Sequence, residues 1–143
     1  MKNLLRSLVI ILILTSCGGL KNFPVSPDLY ENKWVLEMEN SLSKKNDIYL
    51  IFDKKNSRFG GFGGCSSIGG EYSMVKGFIR FSKIFSTQKS CAESKDTESA
   101  LLSLLEEANQ IRMEKDKLYL YKEKILLLSF KKQPFNEVPF SKN

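Results

Sequence analysis

The chain contains no histidine in its 143 residues. That absence removes Ser-His-Asp and Cys-His nucleophilic catalysis and the commonest metal ligand in one step. Cysteine is scarce, with three in all, and none lies in a Cys-x-x-Cys redox pair. Without histidine, so few thiols do not make a structural zinc site. Proline is confined to Pro24, Pro27, Pro134 and Pro139, in segments that lead and trail the rest. Neither an internal repeat nor a second domain is visible, and the length suits one domain with one core. No metal and no cofactor is expected.

The first residues carry the strongest signal. Lys2 and Arg6 form a basic start, and Leu8-Val9-Ile10-Ile11-Leu12-Ile13-Leu14 form an apolar run. A membrane-spanning helix needs about 20 apolar residues, so this run reads as an export signal rather than a permanent span. Leu14-Thr15-Ser16-Cys17 matches a lipobox, with small side chains between the leucine and the thiol. An enzyme at the membrane surface lipidates that thiol, and a peptidase then cuts before it. The expected layout is a lipoprotein signal at 1–16, a lipid-anchored tether at 17–32, a domain at 33–131 and a polar tail at 132–143.

Export changes what the charge means. The net charge of +6 becomes +4 once Lys2 and Arg6 leave with the signal. An exported chain does not meet chromosomal DNA, so no nucleic-acid partner is expected. The surplus suits anionic lipid or cell-wall polymer, or simply a solvated surface. With Cys17 acylated, Cys65 and Cys91 remain. Outside the cytoplasm they either pair or stay as two buried thiols. An unstrained bridge between them would contribute about 3.5 kcal/mol by loop-closure entropy.

From Lys33 onward short apolar runs alternate with polar turns. Strands are expected at Trp34–Met38, Ile48–Phe52, Glu71–Val75, Phe78–Phe81, Gln110–Glu114, Leu118–Tyr121 and Ile125–Phe130. Turns fall at Asp53-Lys54-Lys55-Asn56, Lys76-Gly77, Asp116-Lys117 and Glu123-Lys124. Phe78 and Phe81 break strict alternation and leave the register of their strand open. One helix is expected from about Ser94 to Glu107, because Leu101, Leu104, Leu105 and Ala108 share a face. The fold class is α+β: a compact antiparallel, barrel-like sheet with one amphipathic helix packed on it.

The order of these features resembles the META/HslJ family. The resemblance rests on the Trp34 strand, the Gly64-Cys65-Ser66 turn, Ser86-Thr87-Gln88-Lys89-Ser90-Cys91, and Glu98 leading a leucine-rich helix. It spans about Lys33 to Lys131. Ser66 stands where that pattern has asparagine, so a hydroxyl must take over any capping of the turn. The resemblance implies a β-rich domain, envelope association and, for some members, links to heat shock or antibiotic tolerance. It implies no known reaction.

Other residues invite sharper readings. The glycine-rich segment Gly60–Gly70 lacks the lysine and hydroxyl of a phosphate-binding loop and suits a bulge or a close backbone approach. Asp96 and Glu98 suit the positive end of their helix and do not face each other. Thr87 and Ser90 have hydroxyls but no identifiable base. Phe62, Tyr72 and Phe81 are the candidate lining of a small-ligand pocket, with core packing the stronger reading. No catalytic residue is assigned.

The functional expectation is a non-enzymatic envelope lipoprotein acting through an envelope protein or cell-wall partner. Gly18 after the lipidated cysteine points to the outer membrane, facing the periplasm. The alternative is a small-ligand or lipid-binding module using the sheet interior.

Overall fold

The computed structural model describes residues 26–37, 48–87 and 95–135. Cys17, Cys91 and Ser90 lie outside them. A short helix α1 (Asp28–Glu31) leads into β1 (Asn32–Leu36), followed by β2 (Tyr49–Asp53), β3 (Arg58–Phe62), β4 (Ser67–Val75) and β5 (Phe78–Ser86). Helix α2 (Lys95–Glu107) precedes β6 (Gln110–Glu114), β7 (Lys117–Lys122) and β8 (Ile125–Pro134).

The strands form a closed barrel in sequence order, every neighbouring pair antiparallel, with β1 against β8. Closure removes the free edges that an open sheet of this kind would expose. The seam between β5 and β6 is the thinnest, because only Phe78 and Gln110 pair there. Two backbone bonds extend it, Ile79 N–H to the Asn109 carbonyl at 3.1 Å and Ile111 N–H to the Gly77 carbonyl at 2.9 Å.

Local chemistry explains the turns. Lys76 and Gly77 both have positive φ, 49° and 84°, the backbone signs of a tight type I′ hairpin. The Asp53 carboxylate accepts from the Lys55 N–H at 2.9 Å and the Asn56 N–H at 3.3 Å, holding the β2–β3 turn. Along β4 the register shifts between Gly69 and Glu71. The extra residue is on β5, where Lys83 and Ile84 oppose the single Gly70 and Lys83 takes φ 49°.

The barrel is filled by its own side chains. Trp34 pairs with Leu50, Phe52 with Phe59 and Tyr72 with Phe81, all buried together with Leu118, Leu120 and Phe130. Gly70 makes this possible: a Cβ there would come within 2.7 Å of the Phe59 ring and 2.8 Å of the Ser82 carbonyl oxygen. A large ring sits where the opposite strand offers no side chain.

The helices cap the barrel. Leu101 and Leu105 of α2 are buried in the core cluster, as their spacing requires. At the other end α1 buries Leu29, whose carbonyl accepts the Trp34 indole N–H at 3.0 Å. The sequence pattern assigns Asp28–Glu31 to the tether; the structure instead makes them a helical turn of the domain. Four residues hold no periodicity to read. Likewise β8 continues past Phe130 to Pro134, taking in Lys132, Gln133 and Pro134 of the expected tail, because Trp34, Lys33 and Asn32 of β1 pair with them.

Candidate functional site

The most concentrated polar arrangement in the described residues lies where α2 meets the β3–β4 turn. Gly63 N–H donates to the Ser66 carbonyl at 2.9 Å, and Gly64 takes φ 102°, so the chain reverses tightly and its N–H groups face α2. Glu98, on the first turns of α2, is only 8% exposed. Its carboxylate accepts from the Ser66 N–H at 2.6 Å and from the Ser86 hydroxyl, at the end of β5, also at 2.6 Å. The Ser66 hydroxyl and the Cys65 N–H bond to it as well.

One side chain therefore joins three elements distant in sequence. Burial by itself would raise the Glu98 pKa and is the largest single influence. The bonds from Ser86, Ser66 and Cys65 together outweigh it and hold the carboxyl below its ordinary value. Gly63 is part of the fit, since a Cβ there would stand 2.8 Å from Glu98 Cγ and Oε2.

This geometry revises the expectation for Glu98. It does more than complement a helix end: its carboxylate is turned into the protein and clasps the glycine turn. Ser66, fully buried, supplies the hydroxyl that stands in place of the asparagine amide. Chemically the cluster is a saturated anion site. A carboxylate with a lowered pKa and several donors already in place is a poor general base, and the Ser86 hydroxyl points its proton into that bond. The arrangement positions backbone.

The expected pocket residues separate. Tyr72 and Phe81 face inward with Phe52 and Phe59, with ring centroids 5.3 Å apart for Phe52–Tyr72 and 5.0 Å for Phe59–Phe81. The Tyr72 hydroxyl donates to the Asp53 carbonyl at 3.3 Å. Its pKa is pushed well up, by burial first and then by Tyr30 and Asp53. Phe62 does not join them: it pairs with Tyr49 and Ser67 on the outer face of the sheet, half-exposed. Strand parity decides this. Phe59 points in, so Phe62, three residues on, points out. The three side chains do not line one cavity.

Cys65 is buried and disulfide-bonded. The expected pairing with Cys91 falls outside the described residues. Thr87 N–H donates to the Ser67 carbonyl at 3.0 Å, extending the β4–β5 pairing.

A closed eight-stranded antiparallel barrel, capped by a helix whose glutamate grips a glycine turn, defines a small β-barrel domain class. The META domain family model matches residues 27–135, and the chain belongs to that family. A protein solved by NMR is similar over 75% of this chain and 94% of its own, at 24% identity and TM-score 0.59. A second NMR structure, of a protein from Burkholderia xenovorans, covers 73% and 83% at 21% identity and TM-score 0.60. A crystal structure of a DUF4847 family protein from Bacteroides vulgatus covers 72% and 93% at 13% identity and TM-score 0.52. These likenesses establish the fold. No curated protein sequence matches the chain.

Proposed function

We propose that this chain is a non-enzymatic envelope lipoprotein, its META domain held at the outer membrane by lipid on Cys17 and supporting envelope stress tolerance through a partner. The observation that carries the reading is the sequence Leu14-Thr15-Ser16-Cys17 directly after a basic and apolar start. Each buried acyl CH₂ contributes about 0.8 kcal/mol, so two or more chains on one cysteine make anchoring stable.

The domain's packing supports a binding role over catalysis. Its interior is occupied by Trp34, Phe52, Phe59, Tyr72, Phe81 and Phe130, and its most polar cluster is closed upon itself. That leaves the outer surface to meet a partner, and it weighs against the alternative of a ligand held inside the sheet. The cystine at Cys65 also suits an oxidising compartment.

The test is crosslinking in intact cells, comparing the native chain with Cys17→Ala. The reading expects envelope proteins or wall polymer to be captured by the native chain and lost with the variant. Identical capture at identical yield would remove anchoring from the account.

A further inference from the structure

The outer face of the barrel carries a row of side chains that the core does not use, apolar at both ends with Gln110 between. Val75 pairs with Phe78, Phe78 with Gln110, Gln110 with Tyr121 and Tyr121 with Leu126. Directly paired residues share a face, so these five side chains cross β4 to β8 side by side on the outside. Strands lie about 4.8 Å apart, so the row runs roughly 19 Å along the curved wall of the barrel, with Phe78 inside it rather than at its edge. Val75 is 67% exposed, Phe78 61% and Leu126 49%, with Ile125 at 65% beside them at the β7–β8 turn. Single exposed apolar residues are ordinary, but here Val75 adjoins Phe78 and Tyr121 adjoins Leu126 in one row, with only Gln110 between the two pairs, and grouping of this kind marks an interaction surface.

The charges around this row have one prevailing sign. Lys76 sits in the β4–β5 turn between Val75 and Phe78, Arg80 is outward on β5, and Lys124 is in the turn before Ile125; all three are exposed. None of these three makes an ion pair among the described residues. The Arg112 guanidinium lies over the Tyr121 ring, 5.7 Å from its centre. Of the nearby acids, Glu107 is paired with Lys122 at 2.9 Å and Glu114 with Arg112 at 3.7 Å, leaving Glu123 in the β7–β8 turn. Two hairpin tips with apolar residues, flanked by unpaired cations, match the boundary between lipid tails and anionic headgroups. There apolar side chains enter and basic ones stay at the surface.

We infer that the Val75–Phe78–Leu126 face of the barrel docks onto an anionic lipid surface. The inference deepens the lipoprotein reading by naming the face turned to the membrane. It takes only the compartment from that reading. Each basic residue near an anionic surface strengthens attachment roughly fivefold, so Lys76, Arg80 and Lys124 together account for about a hundredfold, weakening as salt rises.

The experiment uses two exposed phenylalanines on different parts of the barrel. The full chain carries Phe78→Trp or, as the control, Phe85→Trp, since Phe85 is 54% exposed but lies over Gly69. Each is mixed with vesicles of brominated phosphatidylcholine containing phosphatidylglycerol, or of brominated phosphatidylcholine alone. Quenching beyond that of the wild-type chain, whose Trp34 is fully buried, reports contact with acyl chains. The expected result is quenching at position 78 and not at 85, dependent on phosphatidylglycerol, and lowered about a hundredfold in apparent docking constant by Lys76→Gln, Arg80→Gln and Lys124→Gln together. Equal quenching at both positions, or none at 78 while the chain sediments with vesicles, overturns the docking face and leaves the Cys17 anchor standing. Quenching at 78 that persists in Cys17→Ala shows that the face docks without help from the anchor. A chain that ignores vesicles, yet loses crosslinks to an envelope protein with Phe78→Asp, makes this face a protein site and overturns lipid docking.

Discussion

The Glu98 carboxylate accepts a 2.6 Å hydrogen bond from the backbone N–H of Ser66, 32 residues earlier in the chain. This contact, with its counterpart from the Ser86 hydroxyl, ties α2 to the start of β4 and to the end of β5, which lie side by side. Removing it leaves buried donors without an acceptor, and hydrogen bonds to a charged partner are among the stronger ones.

Glu98→Gln is expected to destabilise the domain by roughly 1–3 kcal/mol, because the new amide presents hydrogens toward groups that are themselves donors. Urea unfolding followed by Trp34 fluorescence measures it. A variant within a few tenths of a kcal/mol of wild type would show that the clasp is incidental.

The same carboxylate gives a pH dependence whose sign is fixed. Its pKa is below the ordinary 4.5 when folded, so its stabilisation is fully present above the unfolded value and lost as pH falls through the folded one. Glu37, through Ser129 and Lys117, and Asp53, through Asn56, are also held low. The gap between wild type and Glu98→Gln therefore isolates Glu98. It is expected to be constant from neutral pH down to about 4.5 and to narrow in more acid solution. A gap that widens there would contradict the assigned direction.

Glycine positions separate close contact from mere composition. Gly70→Ala would drive a methyl into the Phe59 ring and the Ser82 carbonyl, and is expected to be destabilising by about 1–3 kcal/mol. At Gly60 the nearest atoms stand 3.8 and 3.9 Å from a new Cβ. Gly60→Ala is expected to be neutral or stabilising by up to about 1 kcal/mol. Paired denaturant midpoints test both.

Phe81 and Phe62 should diverge in the same way. Phe81→Ala empties part of the core and is expected to be destabilising by about 3–5 kcal/mol. Phe62→Ala, on the outer face, is expected to remove no more than about 1 kcal/mol. Equal losses would mean that both rings serve one cavity.

Helix α2 and most strands were legible because their apolar spacing reports one buried face: Leu101 and Leu105 on the helix, Leu118 and Leu120 on β7. The closed order of strands was legible only as a tendency, since nothing local states that Asn32 pairs with Pro134. Glu98 was harder. A carboxylate near a helix start has an adequate local explanation, and the partner that turns it inward lies on another element. Phe62 was misgrouped with Tyr72 and Phe81 because Gly60 and Gly61 carry no side chain from which to read parity. The outer row from Val75 to Leu126 was invisible, because it exists only once β5 and β6 are brought together.

The most direct test of the account is mass spectrometry of the amino-terminal peptide from membranes of the native host. The account predicts a peptide beginning at Cys17 whose mass includes a diacylglyceryl group. A peptide beginning at Met1 with an unmodified Cys17 would contradict it, and would leave the META domain without a membrane on which to act.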